Sequence, residues 1–237
     1  MNPLRYLGEW SPGLIGVFAL CIAILLAHGW FRLRERRGDW GPSLARIAPA
    51  AGYAPADLRA DAASTPVRDG TDRLLLGLAA PFVEAAGLLH DRWSLVPAFC
   101  GEDWRRRLAA VAEQRGVVRA RDWKASAAAL EQALHGLDAG DLDDAERALL
   151  RPWLVANYAM LLRLGVAARH TTGRRARERL ARAALPLRTH HADWLSFGDA
   201  FIAAAERIQP GGTTDLRADL RRLYAPDGPW AETAWPT

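Results

Sequence analysis

The pattern of apolar and polar positions divides the chain into unequal parts. From Ser11 to Phe31 there are 21 residues without a formal charge, most of them strongly apolar, with LIGVFALCIAILLA at the centre. At ~1.5 Å rise per residue, a helix of that length spans a ~30 Å hydrocarbon layer, so the pattern predicts a transmembrane helix over residues 11–31. Two later apolar stretches are shorter and interrupted. Leu74–Leu89 is 16 residues and contains Pro81 and Glu84; Trp153–Leu164 is 12 residues and contains Asn157 and Arg163. Both read as core helices rather than further spans.

Between the first apolar run and the second lies a stretch from Gly38 to about Gly70, rich in Ala, Pro, Gly and Asp and without sustained period, which reads as a linker. From Thr71 onward the punctuation is helical. Thr71 or Asp72 can cap a helix running through Leu89, and Asp103 can cap one to about Gln114, with Gly116 just past its end. A third helix is expected from about Ala120 to Leu134, closed by His135 and Gly136. The acids of DAGDLDDAERALL suit a helix start, and Pro152 either begins a new helix or kinks that one. Trp153 to about Ala168 is expected to be the central helix. Thr172, Asp193, and Thr214 or Asp215 are expected caps of three more. No alternating strand with hairpin chemistry occurs. The expected fold is all-α: an irregular multi-helix bundle preceded by one transmembrane helix and a Pro/Ala/Gly-rich linker.

Charge fixes the expected direction of the anchor. The sequence carries 31 Lys+Arg against 27 Asp+Glu, a net charge of +4 and a pI near 9.6. Three of those four charges lie in residues 1–37, where Arg5, Arg32, Arg34, Arg36 and Arg37 face Glu9 and Glu35. The rest of the chain is almost neutral, which argues against a nucleic-acid surface. Trp10 and Trp30 stand at the two ends of the apolar run, where indoles favour the membrane interface, and Arg32, Arg34, Arg36 and Arg37 follow at once. The positive-inside rule then places the N-terminus outside and everything after the run inside. A cleaved signal peptide would carry its charges before the apolar run instead. The expected organisation is a flank at 1–10, a bilayer-embedded helix at 11–31, a basic juxtamembrane segment and linker at 32–70, and a cytoplasmic helical domain at 71–237.

Candidate chemistry is thin. Cys21 and Cys100 are far apart and there is no CxxC, so neither a disulfide framework nor a zinc knuckle is expected. His190, His191 and Asp193, with His170 upstream and Glu84 as a further acid, are the best candidates for acid–base or metal chemistry. Adjacent histidines diverge by about 100° on a helix, however, and HExxH spacing is absent. A polar loop ending in the Asp193 cap is the simpler reading. Asp138, Asp141, Asp143, Asp144 and Glu146 do not follow EF-hand spacing and read as a helix N-terminus. Arg174, Arg175, Arg177, Arg179 and Arg182 make the densest basic helix, with Glu178 spaced to pair with Arg174 and Arg182. Lipid headgroups or an acidic partner are the alternatives to a solvated face. No P-loop, GxSxG or GxGxxG occurs in a strand–turn–helix context. No catalytic residue, cofactor or metal is expected.

The C-terminal half resembles a known family. HADWLSFGDAF (His191–Phe201), a variable helical stretch, and LYAPDGPWAETAW (Leu223–Trp235) resemble the ending of the bacterial DUF1266 family, a family of unknown function. The residues that carry the likeness are Trp194, Phe197, Gly198, Phe201, Pro229, Trp230 and Trp235. Upstream, PWLVANY and LLRLGV resemble its Trp-centred helix, at Trp153 and Arg163. The likeness covers about residues 100–237. Leu154 and Ala204 stand where the family commonly has Asp and Gly, and the family's Arg is absent or replaced by Asn157. The resemblance implies a helical fold, a bacterial source and no particular activity, and it puts the expected anchor in the inner membrane. The expected function is a single-pass membrane-anchored module that binds a protein partner. An immunity or accessory protein of a toxin or secretion system is its more specific form. A hydrolase using His190, His191 and Asp193 is the alternative.

Overall fold

A computed structural model describes Val67 and residues 70–96, 102–140, 142–208 and 214–235. The apolar run 11–31, its flanking Trp10, Trp30, Arg32, Arg34, Arg36 and Arg37, nearly all of the linker, and Asp141 lie outside the described residues. Within them the fold is all-α. The helices are α1 (Gly70–Gly77), α2 (Ala80–Ala85), α3 (Glu102–Gln114), α4 (Ala120–Ala139), α5 (Asp144–Ala167), α6 (Gly173–Ala184), α7 (Leu187–His190), α8 (Trp194–Ile208) and α9 (Thr214–Leu223). No described helix is long and apolar enough to cross a membrane.

The bundle is organised around α5, which packs against α8, α4, α6 and α2. Asp143 starts it by accepting a hydrogen bond from the Glu146 backbone N–H at 2.8 Å, with Asp144 and Glu146 in the first turn. From Leu154 to Ala167 every residue except Asn157 is buried. A helix apolar on all faces must be enclosed by others, and α4, α6 and α8 supply the enclosure. The helix runs unbroken through Pro152, so the choice between a new helix and a kinked one resolves as a single helix with Pro152 inside.

Other boundaries differ from expectation, for local reasons. The segment 71–89 is not one helix. It breaks at Leu78–Ala79, and Pro81 falls in the first turn of α2, a position where proline costs no helical hydrogen bond. Asp72 is not a cap but is buried, paired with Arg177 of α6 through both oxygens. α4 continues past His135 and Gly136 to Ala139, where Gly140 closes it by donating to the Gly136 carbonyl at 2.9 Å. The end of α3 matches expectation. Gly116 is left-handed (φ +65°), and its neighbour Val117 donates back to the Ala112 carbonyl at 2.9 Å. Thr172 caps α6 by accepting from the Arg175 N–H at 3.3 Å. Short α7 is an element the polar-loop reading did not contain.

Two glycines within these helices face opposite surroundings. Gly165 lies against the Trp123 indole so closely that a Cβ would overlap the ring, whose Nε1 donates to the Leu161 carbonyl at 2.8 Å. Gly136 of α4 faces open space. Gly165→Ala is therefore expected to destabilise the domain by about 1–3 kcal/mol through overpacking, and Gly136→Ala to stabilise it by about 0.5–1 kcal/mol through helix propensity. Denaturant unfolding of the two variants checks both the signs and the order.

Candidate functional site

Trp194, Phe197, Gly198, Pro229, Trp230 and Trp235 converge on one aromatic cluster at one end of the domain. Trp194 opens α8 and stacks on Trp230 with ring centres 5.0 Å apart at 11°, while Trp235 meets it edge-on at 4.8 Å. Phe197 adds T-shaped contacts to Trp194 and Trp230. Each indole N–H is consumed by a backbone carbonyl: Trp194 by Thr233 at 2.7 Å, Trp230 by Gly77 at 2.9 Å and Trp235 by His191 at 2.8 Å. Gly198 is required because a Cβ there would overlap the Tyr224 hydroxyl, which donates to the Trp194 carbonyl at 2.9 Å. Pro229 contributes its carbonyl to the Thr233 hydroxyl at 2.8 Å. Phe201 and Trp153 belong to a second group with Phe82, at centre distances of 5.2–5.5 Å. These residues fasten the chain end onto α1 and α8.

One of these contacts replaces a hydrogen bond that a proline removes. In an unbroken helix, the N–H of residue 81 would serve the Gly77 carbonyl; Pro81 has none, and the Trp230 indole donates instead. Pro152 likewise leaves the Ala148 carbonyl without its helical donor. His191 is buried against Phe197, and burial holds its pKa below the ordinary value.

Arg163 is wholly buried within α5. Its Nη2 donates to the carbonyls of Leu89 and Arg92, both at 2.6 Å, and to His90 at 3.3 Å; its Nη1 reaches Leu76 at 3.4 Å. Burial pulls its pKa down to about 9, which still leaves a cation at neutral pH. The loop that it gathers holds the buried Leu95 at φ +64°, a left-handed conformation that costs a leucine about 1–2 kcal/mol. Arg163 is a clamp for that loop.

The remaining histidine and acid candidates are dispersed. Asp193 caps α8, accepting from the Ser196 N–H at 2.7 Å, and that bond lowers its pKa. His190 ends α7, and His170 packs beside Trp123. Glu84 binds His90 Nε2 at 3.0 Å and Arg222 Nε at 2.6 Å. Burial raises the Glu84 carboxyl, but those two partners outweigh it and hold the pKa low. Asp138 belongs to the last turn of α4 rather than to the acid-rich start of α5, and pairs with Arg151. Among the described residues no three His, Cys, Asp or Glu side chains are placed to hold a metal ion.

An open polar cleft of about 280 Å³ lies where α4 and α6 flank α5. α4 contributes Glu131, Leu134, His135 and Asp138; α5 contributes Arg151 and Tyr158; α6 and its following turn contribute Arg179, Arg182, Ala183 and Pro186. Glu131 accepts from the Tyr158 hydroxyl and from Arg179 Nε, the latter at 2.9 Å. Burial raises the Glu131 pKa but these bonds bring it down overall, while burial and the bond to Glu131 push Tyr158 up. Sequence reasoning placed Asp138, Arg179 and Arg182 in local charge runs and passed over Glu131, Arg151 and Tyr158. The available signal was spacing: Glu131–Asp138 and Arg151–Tyr158 are each seven apart and Arg179–Arg182 three apart, so each pair shares a helix face.

No family model, curated protein or solved structure matches the chain.

Two predictions follow from these contacts. Arg163→Met strands the Leu89 and Arg92 carbonyls, at about 1–3 kcal/mol each, and is expected to destabilise the domain by about 2–4 kcal/mol. Hydrogen exchange should quicken first in residues 88–96. The second concerns acid. His90, His170 and His191 all have pKa values lowered by burial, so below about pH 6.5 the unfolded chain binds protons that the native domain refuses. Stability is therefore full above the unfolded histidine pKa and falls as pH drops through the folded ones. The lowered Glu84, Glu131 and Asp193 extend the loss below about pH 4.5. His191→Gln should flatten the slope of unfolding free energy against pH between 6.5 and 5, and an unchanged slope would count against this account.

Proposed function

We propose that this chain is a single-pass inner-membrane protein whose helical domain serves in the cytoplasm as a protein-interaction or accessory module. The apolar run 11–31, bounded by Trp10 and Trp30 and followed by Arg32, Arg34, Arg36 and Arg37, supports the anchor and its N-out orientation. The aromatic cluster of Trp194, Phe197, Gly198, Trp230 and Trp235, with Arg163 in the core, supports kinship with the DUF1266 family through residues that build the fold.

One surface observation carries the interaction reading. Leu185, at the end of α6, is 65% exposed, and Arg182 and Arg188, three residues to either side, are exposed as well. Neither arginine makes a hydrogen bond or ion pair among the described residues. An apolar side chain standing between uncompensated guanidiniums suits a partner that brings an apolar contact ringed by acids. The hydrolase alternative has less support: Asp193 is committed to a helix cap, and His191 is buried against Phe197. An immunity or accessory role is the more specific form of the interaction reading, and neighbouring toxin or secretion genes would favour it.

A photo-crosslinking residue at position 185 of the full-length protein, in its own membrane, is expected to capture one dominant protein. Leu185→Glu should abolish the same complex detected through a crosslinker placed at position 188. Crosslinking no stronger than that of an exposed control site such as Gln132 would overturn the proposal.

A further inference from the structure

The cleft between α4 and α6 contains an unbalanced set of charges. Three guanidiniums, those of Arg151, Arg179 and Arg182, face two carboxylates, Glu131 and Asp138. The carboxylates are already engaged. Glu131 holds Arg179 and the Tyr158 hydroxyl, and Asp138 holds Nη2 of Arg151. Arg182 has no hydrogen bond or ion pair among the described residues, and its charge reaches Glu131 only through space. Arg151 is 2% exposed, and its Nε is shut away from solvent without an acceptor. A guanidinium carries five donors, so both arginines retain unused capacity.

The surroundings make that capacity useful for binding. Leu134, Ala183 and Pro186 form an apolar wall, which lowers the local dielectric and strengthens any charge contact beside it. Arg151 and Arg179 are fixed in ion pairs with Asp138 and Glu131, so those two guanidiniums are held in place before a ligand arrives. The volume, about 280 Å³, is at the bottom of the range for small-molecule sites and suits a compact group. Arginine forks match the planar oxygens of a carboxylate and the oxygens of a phosphoryl group.

We propose that this cleft binds a small oxyanion, a carboxylate or phosphoryl group, between Arg182 and Arg151, with His135 at the rim. Arg182 supplies the uncompensated charge. Glu131 and Tyr158 hold Arg179 back against α4 and keep the floor of the cleft in shape. The site adjoins the docking edge and shares Arg182 with it, although Leu185 does not line the cleft.

Isothermal titration of full-length protein in detergent micelles, at fixed ionic strength, tests the proposal with inorganic phosphate and with succinate as probes. The expected result is one saturable site for at least one probe, weakened about tenfold or more in Arg182→Ala, as loss of a charge-assisted contact implies. Arg182 is exposed, so this variant should fold. Arg175→Ala, an exposed arginine of the same helix outside the cleft, should bind like the parent. Tighter phosphate binding identifies a phosphoryl ligand and tighter succinate binding a carboxylate. The proposal is overturned if neither anion binds below about 10 mM, if Arg182→Ala binds as the parent does, or if Arg175→Ala loses as much as Arg182→Ala.

Discussion

Burying α5 on every side is the constraint from which most of the domain follows. A helix in water can leave polar side chains and unpaired carbonyls to the solvent; an enclosed one must find them partners in the surrounding protein. Each irregularity of α5 consequently dictates something elsewhere. Arg163 gathers the carbonyls of the 88–96 loop, and Asn157 accepts from Arg115 at 3.1 Å. Tyr158 finds Glu131, Arg151 finds Asp138, and Gly165 admits the Trp123 ring. The neighbouring helices contribute apolar surface, and they also supply specific acceptors and donors at fixed heights along the axis.

Arg115 illustrates how such needs are met from outside the local sequence. It comes from the end of α3, lies over the Phe82 ring at 4.4 Å and donates to Asn157, with burial drawing its pKa down to about 10. The Asp72–Arg177 pair acts similarly between α1 and α6. Arg177 also lies over Trp93 at 5.8 Å, so one side chain is at once an ion-pair partner and a cover for an indole.

What could be read from the sequence was set by the range of the interactions involved. The caps at Asp143, Thr172 and Asp193 and the left-handed Gly116 act within four residues, and they stood where local rules put them. The central helix was legible because an apolar run must be buried. The break before Pro81 was harder to place, since proline is equally at home in a first turn and at a kink. Asp72 was misread because its partner lies 105 residues away. The motif residues were legible as a set, but their work was not: nothing in the spacing of Trp230 reveals that its indole replaces an N–H missing at Pro81. The cleft was hidden for the same reason, its charges being spread over three helices.

The bond from Trp230 to Gly77 joins positions 153 residues apart. Translation delivers Gly77 well before Trp230. Throughout synthesis the final carbonyl of the first described helix has no donor, and the Trp194 ring has nothing to stack on. Contacts of such long sequence separation are slow to form, because the intervening chain must be ordered before they stabilise anything. A chain that stops short of Trp230 therefore lacks both the donor to Gly77 and the ring that stacks on Trp194.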